Sequence, residues 1–225
     1  MSENLISLNK KIISCRNCKR LVDFREKVAN DKRKQYLTES YWGKHVPGFG
    51  EKDAKILILG LAPAAHGANR TGRVFTGDKS SEFLFRCLYK SNISNKSNSI
   101  NKDDLLKLKN TYITLALKCV PPNDKPTSNE LKNCFKYFKE ESDILKNIKV
   151  IVALGKIAFD TCLVFFKLRK RDFLFKHGKE YLLNKKQFII ACYHPSPRNV
   201  NTKKIDEVSM LKVFKKAKKL MKTTP

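Results

Sequence analysis

Four short apolar runs divide the chain, and polar loops or helix signals follow them. They lie at residues 55–61, 111–118, 149–155 and 187–193. Each run is continuously apolar and does not alternate with polar residues, which is typical of strands buried on both faces of a parallel sheet. The pattern therefore predicts an α/β fold, with a parallel sheet covered by helices on both faces.

Helix signals fill the intervals between the runs. Thr127 and Glu130 form a capping-box signature, which predicts a helix from there to about Asn147. Other segments with helical spacing are residues 5–13, 21–28, 80–91, 156–168 and about 203–222, with a short helix at 103–110. Residues 41–54 predict a Gly- and aromatic-rich loop, and residues 173–188 predict a loop and an edge hairpin.

Polar loops follow three of the predicted strands, at residues 60–78, 119–127 and 194–201. The carboxyl ends of parallel strands meet at one edge of a sheet, so these loops should gather there. Ligands of open α/β sheets bind at that edge, and we expect the functional site there.

The charge of the chain is unusual for its length. Lys and Arg number 47 against 21 Asp and Glu, a formal charge of +26 over 225 residues, which fit one domain at residues 1–225. Such an excess predicts a nucleic-acid partner. A solvated Lys-rich surface is the alternative, and an anionic membrane surface is a weaker one. Because no run is long enough to span a membrane and the N-terminus lacks a signal-peptide core, we expect a cytosolic protein without a membrane partner.

Cysteines supply the second chemical signal. Cys15 and Cys18 form a Cys-x-x-Cys pair among charged residues, Cys119 ends the second strand, and Cys134 lies in the following helix. A cytosolic protein does not favour disulfides, and four thiolates suit zinc or a [4Fe–4S] cluster. The remaining cysteines occupy apolar contexts where small core residues are expected: Cys87, Cys162 and Cys192.

The loop at residues 60–78, GLAPAAHGANRTGRVFTGD, carries most of the candidate chemistry. It lacks both the G-x-G-x-x-G and the Walker pattern, so the simplest nucleotide-cofactor sites are excluded. Asn69 and Arg70 offer polar contacts, Phe75 offers a ring for stacking, and Asp78 is its one carboxylate. Taken singly, Phe75 is more often a core residue and Asp78 a helix N-cap. Together with the loop HPSPRN they indicate a pocket for a base.

His194 ends the fourth predicted strand and precedes Pro195 and Ser196. A single histidine is usually structural. At a strand end, before a rigid turn and facing another functional loop, it favours a site instead. Asn199 is close enough in sequence to join it.

These motifs resemble those of family 5 uracil-DNA glycosylases, the iron–sulfur type b enzymes of prokaryotes. The resemblance is carried by GLAPAAHGANRTGRVFTGD, KCVPPNDKPT and YHPSPRN, and also by CRNCKRLVDFREKVA, YWGKHVPGFG and VIVALG. It extends from about Cys15 to the final helix. It implies three layers around a four-stranded parallel sheet, and hydrolysis of the N-glycosidic bond of a damaged base in DNA, the first step of base excision repair.

The resemblance also implies roles for particular residues. It assigns a [4Fe–4S] cluster to the cysteines at positions 15, 18, 119 and 134. Phe75 would stack on the extruded base, and His194, with Asn199 nearby, would stabilise negative charge on the departing base. The backbone from Gly60 to Ala65 would form the pocket floor. Ser196 to Arg198 would hold the bent DNA backbone, with Arg198 or a neighbour filling the gap left by the flipped nucleotide.

The residue that activates water is left open by the resemblance. In the wider superfamily a polar side chain stands where this chain has Ala62, as is typical of family 5. We choose Asp78 for this role, and its rival is the pair Asn123 and Asp124. Many relatives have Asn directly before Lys-Pro-Thr, whereas here Asp124 occupies that place.

Leu115 replaces an Asn that reads the base edge in strictly uracil-specific relatives. Losing that discriminator predicts a looser pocket, so we expect uracil to be excised together with hydroxymethyluracil, thymine-like bases or hypoxanthine. The expected partner is double- or single-stranded DNA that contains such bases. We expect the protein to be a monomer and to associate with the nucleoid. A non-catalytic basic module with a structural cluster, and a zinc-bound RNA-processing enzyme, are the alternatives.

Overall fold

The computed structural model describes residues 4–223 and has a six-stranded sheet at its centre. The strands are β1 (Phe49–Gly50), β2 (Ile56–Gly60), β3 (Thr111–Leu115), β4 (Val150–Leu154), β5 (Glu180–Asn184) and β6 (Gln187–Cys192). Their order is β1-β3-β2-β4-β6-β5. The four predicted strands pair in parallel, while β1 and β5 pair antiparallel at the two edges. The parallel sheet is thus confirmed, and two edge strands extend it.

The helices are α1 (Leu5–Ser14), α2 (Lys19–Asp31), α3 (Ala68–Thr71), α4 (Lys79–Lys90), α5 (Ser128–Ile144), α6 (Lys156–Phe165), α7 (Pro197–Asn201) and α8 (Glu207–Leu220). The predicted capping box of Thr127 and Glu130 starts α5. The last predicted helix, from about residue 203, instead begins at Glu207. Asp206 accepts from the Ser209 backbone and forms a capping box of its own, which fixes the start of α8.

Two other sequence predictions differ from the structure. The segment 41–54 is not all loop, because Phe49 and Gly50 pair with β3. Residues 103–110 form no helix. The Asp104 carboxylate accepts from the backbone of Ile100 and Leu106, and such local bonds compete with helix formation.

Alternating side chains of the strands bury two separate cores. Ile56 and Ile58 on β2 face a core shared with α4 and α8, whereas Leu57 and Leu59 face a core shared with α5 and α6. The sheet therefore lies between two helical layers, as predicted for three layers. Helix α1 packs against α5, and a third, smaller core joins α1, α2 and α5 around Cys119 and Cys134.

Helices long and apolar enough to cross a bilayer are absent from residues 4–223. Three of the seven cysteines serve as core residues, as predicted. Cys87 on α4 and Cys192 at the end of β6 are fully buried in the core on the α4 and α8 side of the sheet, and Cys162 on α6 is fully buried in the core on the other side.

Candidate active site and cysteine cluster

One cavity opens at the carboxyl edge of the sheet, where the loops after β2, β3 and β6 meet. It measures about 390 Å³, a volume typical of small-ligand sites. Seven of the residues singled out from the sequence line it: Ala62, Phe75, Asp78, Leu115, Asp124, His194 and Ser196. The predicted gathering of loops at this edge is therefore what the fold produces.

Phe75 reaches the cavity from an unusual backbone conformation. Its φ is 46°, in the left-handed region that side chains other than glycine rarely adopt, and such residues concentrate at functional sites. The ring is mostly buried and lies with its centroid 5.9 Å from that of His194, tilted by 32°. Gly60 lies directly beneath the ring and does not itself line the cavity. Phe75 and His194 thus form one wall of the pocket.

His194 is fixed by the loop that follows β6. The Asn199 side-chain amide donates to the His194 carbonyl at 2.9 Å, and Ser196 accepts from the Asn199 backbone N–H as the N-cap of α7. Burial lowers the pKa of His194 to about 4, so the imidazole is neutral at pH 7. Asn199 contacts the backbone of His194 and does not line the cavity, and exposed Arg198 does not line it either.

Asp78 combines a structural position with exposure to the cavity. It is the N-cap of α4: its Oδ1 accepts from the Ser81 backbone N–H at 2.8 Å, and Ser81 Oγ completes the capping box. Its Oδ2 lies against Gly67, where a Cβ would approach to 2.0 Å. Burial raises the pKa of the Asp78 carboxyl, partly offset by the backbone N–H groups of Ser81 and Ser80. The side chain is an N-cap and also a wall of the cavity.

The rival pair lies in the loop after β3. Asn123 and Asp124 both adopt left-handed φ, near 54° and 55°. This turn brings Asp124 to the cavity, whereas Asn123 does not line it. Two carboxylates, those of Asp78 and Asp124, therefore face the same space.

The polar residues 69–73 hold the loop together and do not line the cavity. Buried Arg70 pairs with Glu39 and donates to the carbonyls of His66 and Gly77. Buried Arg73 binds Asp104 with two bonds of 2.6 and 2.8 Å. The polar contacts expected of Arg70 are thus made within the loop and with Glu39.

The four cysteines assigned by the resemblance converge on a second site. Cys15, Cys18, Cys119 and Cys134 line one small cavity between α1, α2 and α5. Among residues 4–223, no three Cys, His, Asp or Glu side chains are arranged to hold a single metal ion. Four cysteine sulfurs around one cavity are the donor set of a [4Fe–4S] cluster. Burial raises the pKa of Cys119 and Cys134 to about 12, so their thiolates would need a cationic centre.

Sequence reasoning missed two polar residues at this second site. Arg25 is almost fully buried and donates to Cys119 Sγ at 3.2 Å and to His45 Nδ1. His45 also lines the cysteine cavity. A signal was present, because Arg25 occupies a position of α2 with the spacing of apolar Leu21 and Val28. The pairing with Cys119, 94 residues away, had no sequence signal.

Comparisons with known proteins agree with this geometry. Residues 47–219 match the sequence profile of the "Uracil DNA glycosylase superfamily". A "Type-5 uracil-DNA glycosylase" of Thermus thermophilus is 44% identical over 93% of this chain and 94% of its own length. Proteins of the same name from Pyrobaculum aerophilum and Mycobacterium leprae are 40% and 39% identical, over 92% and 95% of this chain and 89% and 94% of their own lengths.

Proposed function

The chain belongs to the uracil DNA glycosylase superfamily, and we propose that it acts in DNA repair by hydrolysing the N-glycosidic bond of uracil in DNA. The single observation that carries this proposal is the shared cavity of Phe75, His194 and two carboxylates at the carboxyl edge of the sheet. Each group suits one part of the reaction.

The base must first leave the duplex. The target bond is inaccessible within stacked DNA, so the nucleotide is flipped out at a cost of about a few kcal/mol. The 390 Å³ cavity accepts the flipped base, and Phe75, which lines the cavity, offers a ring for stacking. The backbone of Ala62 and its neighbours shapes the floor.

Cleavage then separates charge. The sugar becomes oxocarbenium-like, and the departing base gains negative charge. His194 is neutral at pH 7 because its pKa is low. A neutral imidazole stabilises the developing anion by donating a hydrogen bond from a ring N–H, and no proton is transferred to the base. Asn199 holds the backbone of His194 and is a positioning residue rather than a contact for the base.

Water reaches the sugar with help from a carboxylate. We assign this role to Asp78, because its half-buried carboxyl lies at the cavity wall and its raised pKa makes it a better proton acceptor than an ordinary aspartate. Asp124, at the exposed rim of the same cavity, is the rival. Asn123 does not line the cavity. We therefore infer that Asp124, and not Asn123, takes the place of the Asn that many relatives have before Lys-Pro-Thr.

The pocket supports a broad substrate range. Leu115 is buried in its wall and offers no hydrogen bond to the edge of a base. A pocket wall without a hydrogen-bonding group for the edge of the base discriminates weakly between bases of similar shape. We therefore propose that hypoxanthine, hydroxymethyluracil and thymine-like bases are also excised, in duplex or single-stranded DNA.

We further propose that Cys15, Cys18, Cys119 and Cys134 hold a [4Fe–4S] cluster, since the four line one cavity beside a buried cation. Such a cluster would join α1, α2, α5 and the loop after β3 into one unit, a structural contribution outside the reaction itself. We place the protein at the prokaryotic nucleoid as a monomer whose residues 1–225 form one domain. Its charge of +26 favours polyanionic DNA.

An excision assay tests the activity. The protein is incubated with duplexes carrying uracil, hypoxanthine, hydroxymethyluracil or an undamaged base, and alkali then cleaves any abasic site. Strand cleavage at uracil supports the proposal. DNA binding without cleavage at any of these bases would instead leave a non-catalytic basic module. Iron and sulfide analysis tests the cluster, and a colourless protein loaded with zinc would contradict it.

A further inference from the structure

Arg25 is a buried cation without an adequate anionic partner among the described residues. Its side chain is 2% exposed, yet the carboxylate that pairs with it, Glu26 Oε1, lies 3.7 Å away. Glu26 is itself 40% exposed and binds Arg16 at 2.6 Å. The other hydrogen-bond contacts of the guanidinium are His45 and the Cys119 sulfur, and its Nε atom has no hydrogen-bond partner in the described part of the chain. A buried charge in this condition is strongly destabilising unless something balances it.

A second buried cation of this protein, Lys118, has the carboxylate partner that Arg25 lacks. Lys118 is fully buried, and its ammonium lies 2.7 Å from the carboxylate of equally buried Glu141. Thr114 donates to the same carboxylate at 2.8 Å. Within residues 4–223 Arg25 has no such carboxylate, and its guanidinium instead contacts Cys119 and His45, two residues that line the cysteine cavity.

We propose that Arg25 is a positioning residue for the iron–sulfur cluster and couples that cluster to the loop at residues 60–78. We call this loop the lesion loop, and the cavity that it lines with Phe75 and Asp78 the lesion pocket. This inference rests on the cluster of the proposed function. Four thiolates make such a group anionic, and their negative charge is the missing partner of the guanidinium. The bond from Nη1 to Cys119 Sγ then becomes charge-assisted, and hydrogen bonds of this kind hold a ligand in place around a metal centre.

The backbone of Arg25 makes the connection to the lesion pocket. Its carbonyl accepts the side-chain amide of Asn69 at 3.2 Å. Asn69 belongs to α3, in the loop that continues to Phe75 and Asp78, and its own carbonyl accepts from Gly43 at 3.0 Å. One residue therefore bonds the cluster site through its side chain and the lesion loop through its main chain.

The test compares Arg25→Met, Arg25→Lys and a matched control in the purified, iron-loaded protein. The control is Arg20→Met, on the same helix, where the arginine binds the Glu130 carboxylate and the Lys125 carbonyl and contacts no cysteine sulfur of residues 4–223. Iron release to a chelator is followed by the loss of cluster colour. Hydrogen–deuterium exchange of residues 64–71 is followed in the loaded protein and again after the cluster is removed.

We expect Arg25→Met to release iron about tenfold faster than the wild type, as for other groups that support metal ligands, with Arg25→Lys in between because it keeps the charge. Hydrogen–deuterium exchange of residues 64–71 should be faster in the wild type after the cluster is removed than before. In loaded Arg25→Met it should already be faster than in the loaded wild type. Arg20→Met should match the wild type in both. If Arg25→Met does not fold, Arg25→Lys alone carries the comparison.

The outcomes separate this inference from the proposed activity, because neither readout depends on excision. Wild-type iron release and wild-type exchange in both Arg25 variants would overturn the inference while leaving the cluster and uracil excision intact. A wild-type protein that excises uracil but contains no iron would overturn the cluster and this inference with it, and leave the activity standing.

Discussion

Gly60 and Phe75 are in contact where β2 ends and the lesion loop begins. A Cβ added to Gly60 would lie 2.8 Å from Cζ of the Phe75 ring and equally close to Cδ2 of Leu115. Real side chains do not approach so closely, so the ring keeps its place only because residue 60 is glycine. The end of a core strand thereby sets the position of the Phe75 ring in the pocket wall.

Gly60→Ala should consequently slow uracil excision by displacing Phe75. A shift of about 1 Å in a positioned group costs on the order of 100-fold in rate, and we expect a loss of that size in single-turnover excision with saturating enzyme. The matched comparison is a double-mutant cycle with Phe75→Leu. If the effect passes through the ring, the double variant should be no slower than Phe75→Leu alone, whereas independent, multiplying losses would contradict the mechanism.

Asp78 can be tested for catalysis separately from its capping role. Asn caps a helix about as well as Asp, so Asp78→Asn should leave the free energy of unfolding nearly unchanged, while Asp78→Ala should lower it by about 1 kcal/mol. If Asp78 activates water, both should slow excision by about 100-fold or more, with affinity for DNA carrying a hydrolysis-resistant 2′-fluorodeoxyuridine largely retained.

Asp124→Asn is the companion variant, since Asp124 faces the same cavity. Full activity in Asp78→Asn combined with a large loss of activity in Asp124→Asn would assign water activation to Asp124 instead. Full activity in both would indicate that the base departs without a protein carboxylate.

His194 should remain neutral across the physiological pH range. Burial moves its pKa from the ordinary 6.5 down to about 4, so the folded protein does not bind a proton that the unfolded chain binds between those values. Stability relative to His194→Gln should therefore fall as the pH drops from about 6.5 to about 4. NMR of labelled histidine, assigned by the signal missing in His194→Gln, should show an unchanged His194 resonance from pH 8 to pH 5.5. A midpoint near 6.5 would contradict a neutral donor.

The buried pair Lys118 and Glu141 predicts a large stability effect. Glu141→Gln leaves the Lys118 ammonium buried without a carboxylate, which costs about 3–5 kcal/mol of unfolding free energy. Replacing both residues, Lys118→Met with Glu141→Leu, removes the charge together with its partner and should restore most of that loss. Urea unfolding measures both. A single variant that loses less than about 1 kcal/mol would show that water reaches the pair.

The sequence predicts the central fold well because continuous apolar runs are strong signals. All four parallel strands lie where their runs are, and Ser196 and His194 reach the cavity because their loop follows β6. The two-residue strand β1 has no run of its own and exists only through its pairing with β3. Pairing across the chain is not visible in local pattern, which also explains why the contact of Arg25 with Cys119 is not predicted.

Predictions for the site are less complete where backbone conformation decides. Sequence alone leaves Asn123 and Asp124 as equals, and it is the left-handed turn at both residues that brings only Asp124 to the cavity. Asn199 has the residue type of a base contact, but its amide is taken by the carbonyl of His194. The residue type of Asn199 indicated a place near the site, and only the structure shows that its amide binds the backbone of His194.

DNA affinity should depend steeply on salt, and the dependence should be local to the carboxyl edge of the sheet. Arg198 is exposed on α7 beside the lesion pocket, whereas Lys186 is exposed at the turn between β5 and β6, on the opposite edge. Loss of one phosphate contact lowers the slope of log affinity against log salt by about 0.9 for duplex DNA. Arg198→Gln should show this decrease in fluorescence-anisotropy titrations, and Lys186→Gln, which removes the same charge, should keep the wild-type slope. Equal slopes in the two variants would mean that the positive charge acts as a diffuse field and that Arg198 makes no phosphate contact of its own.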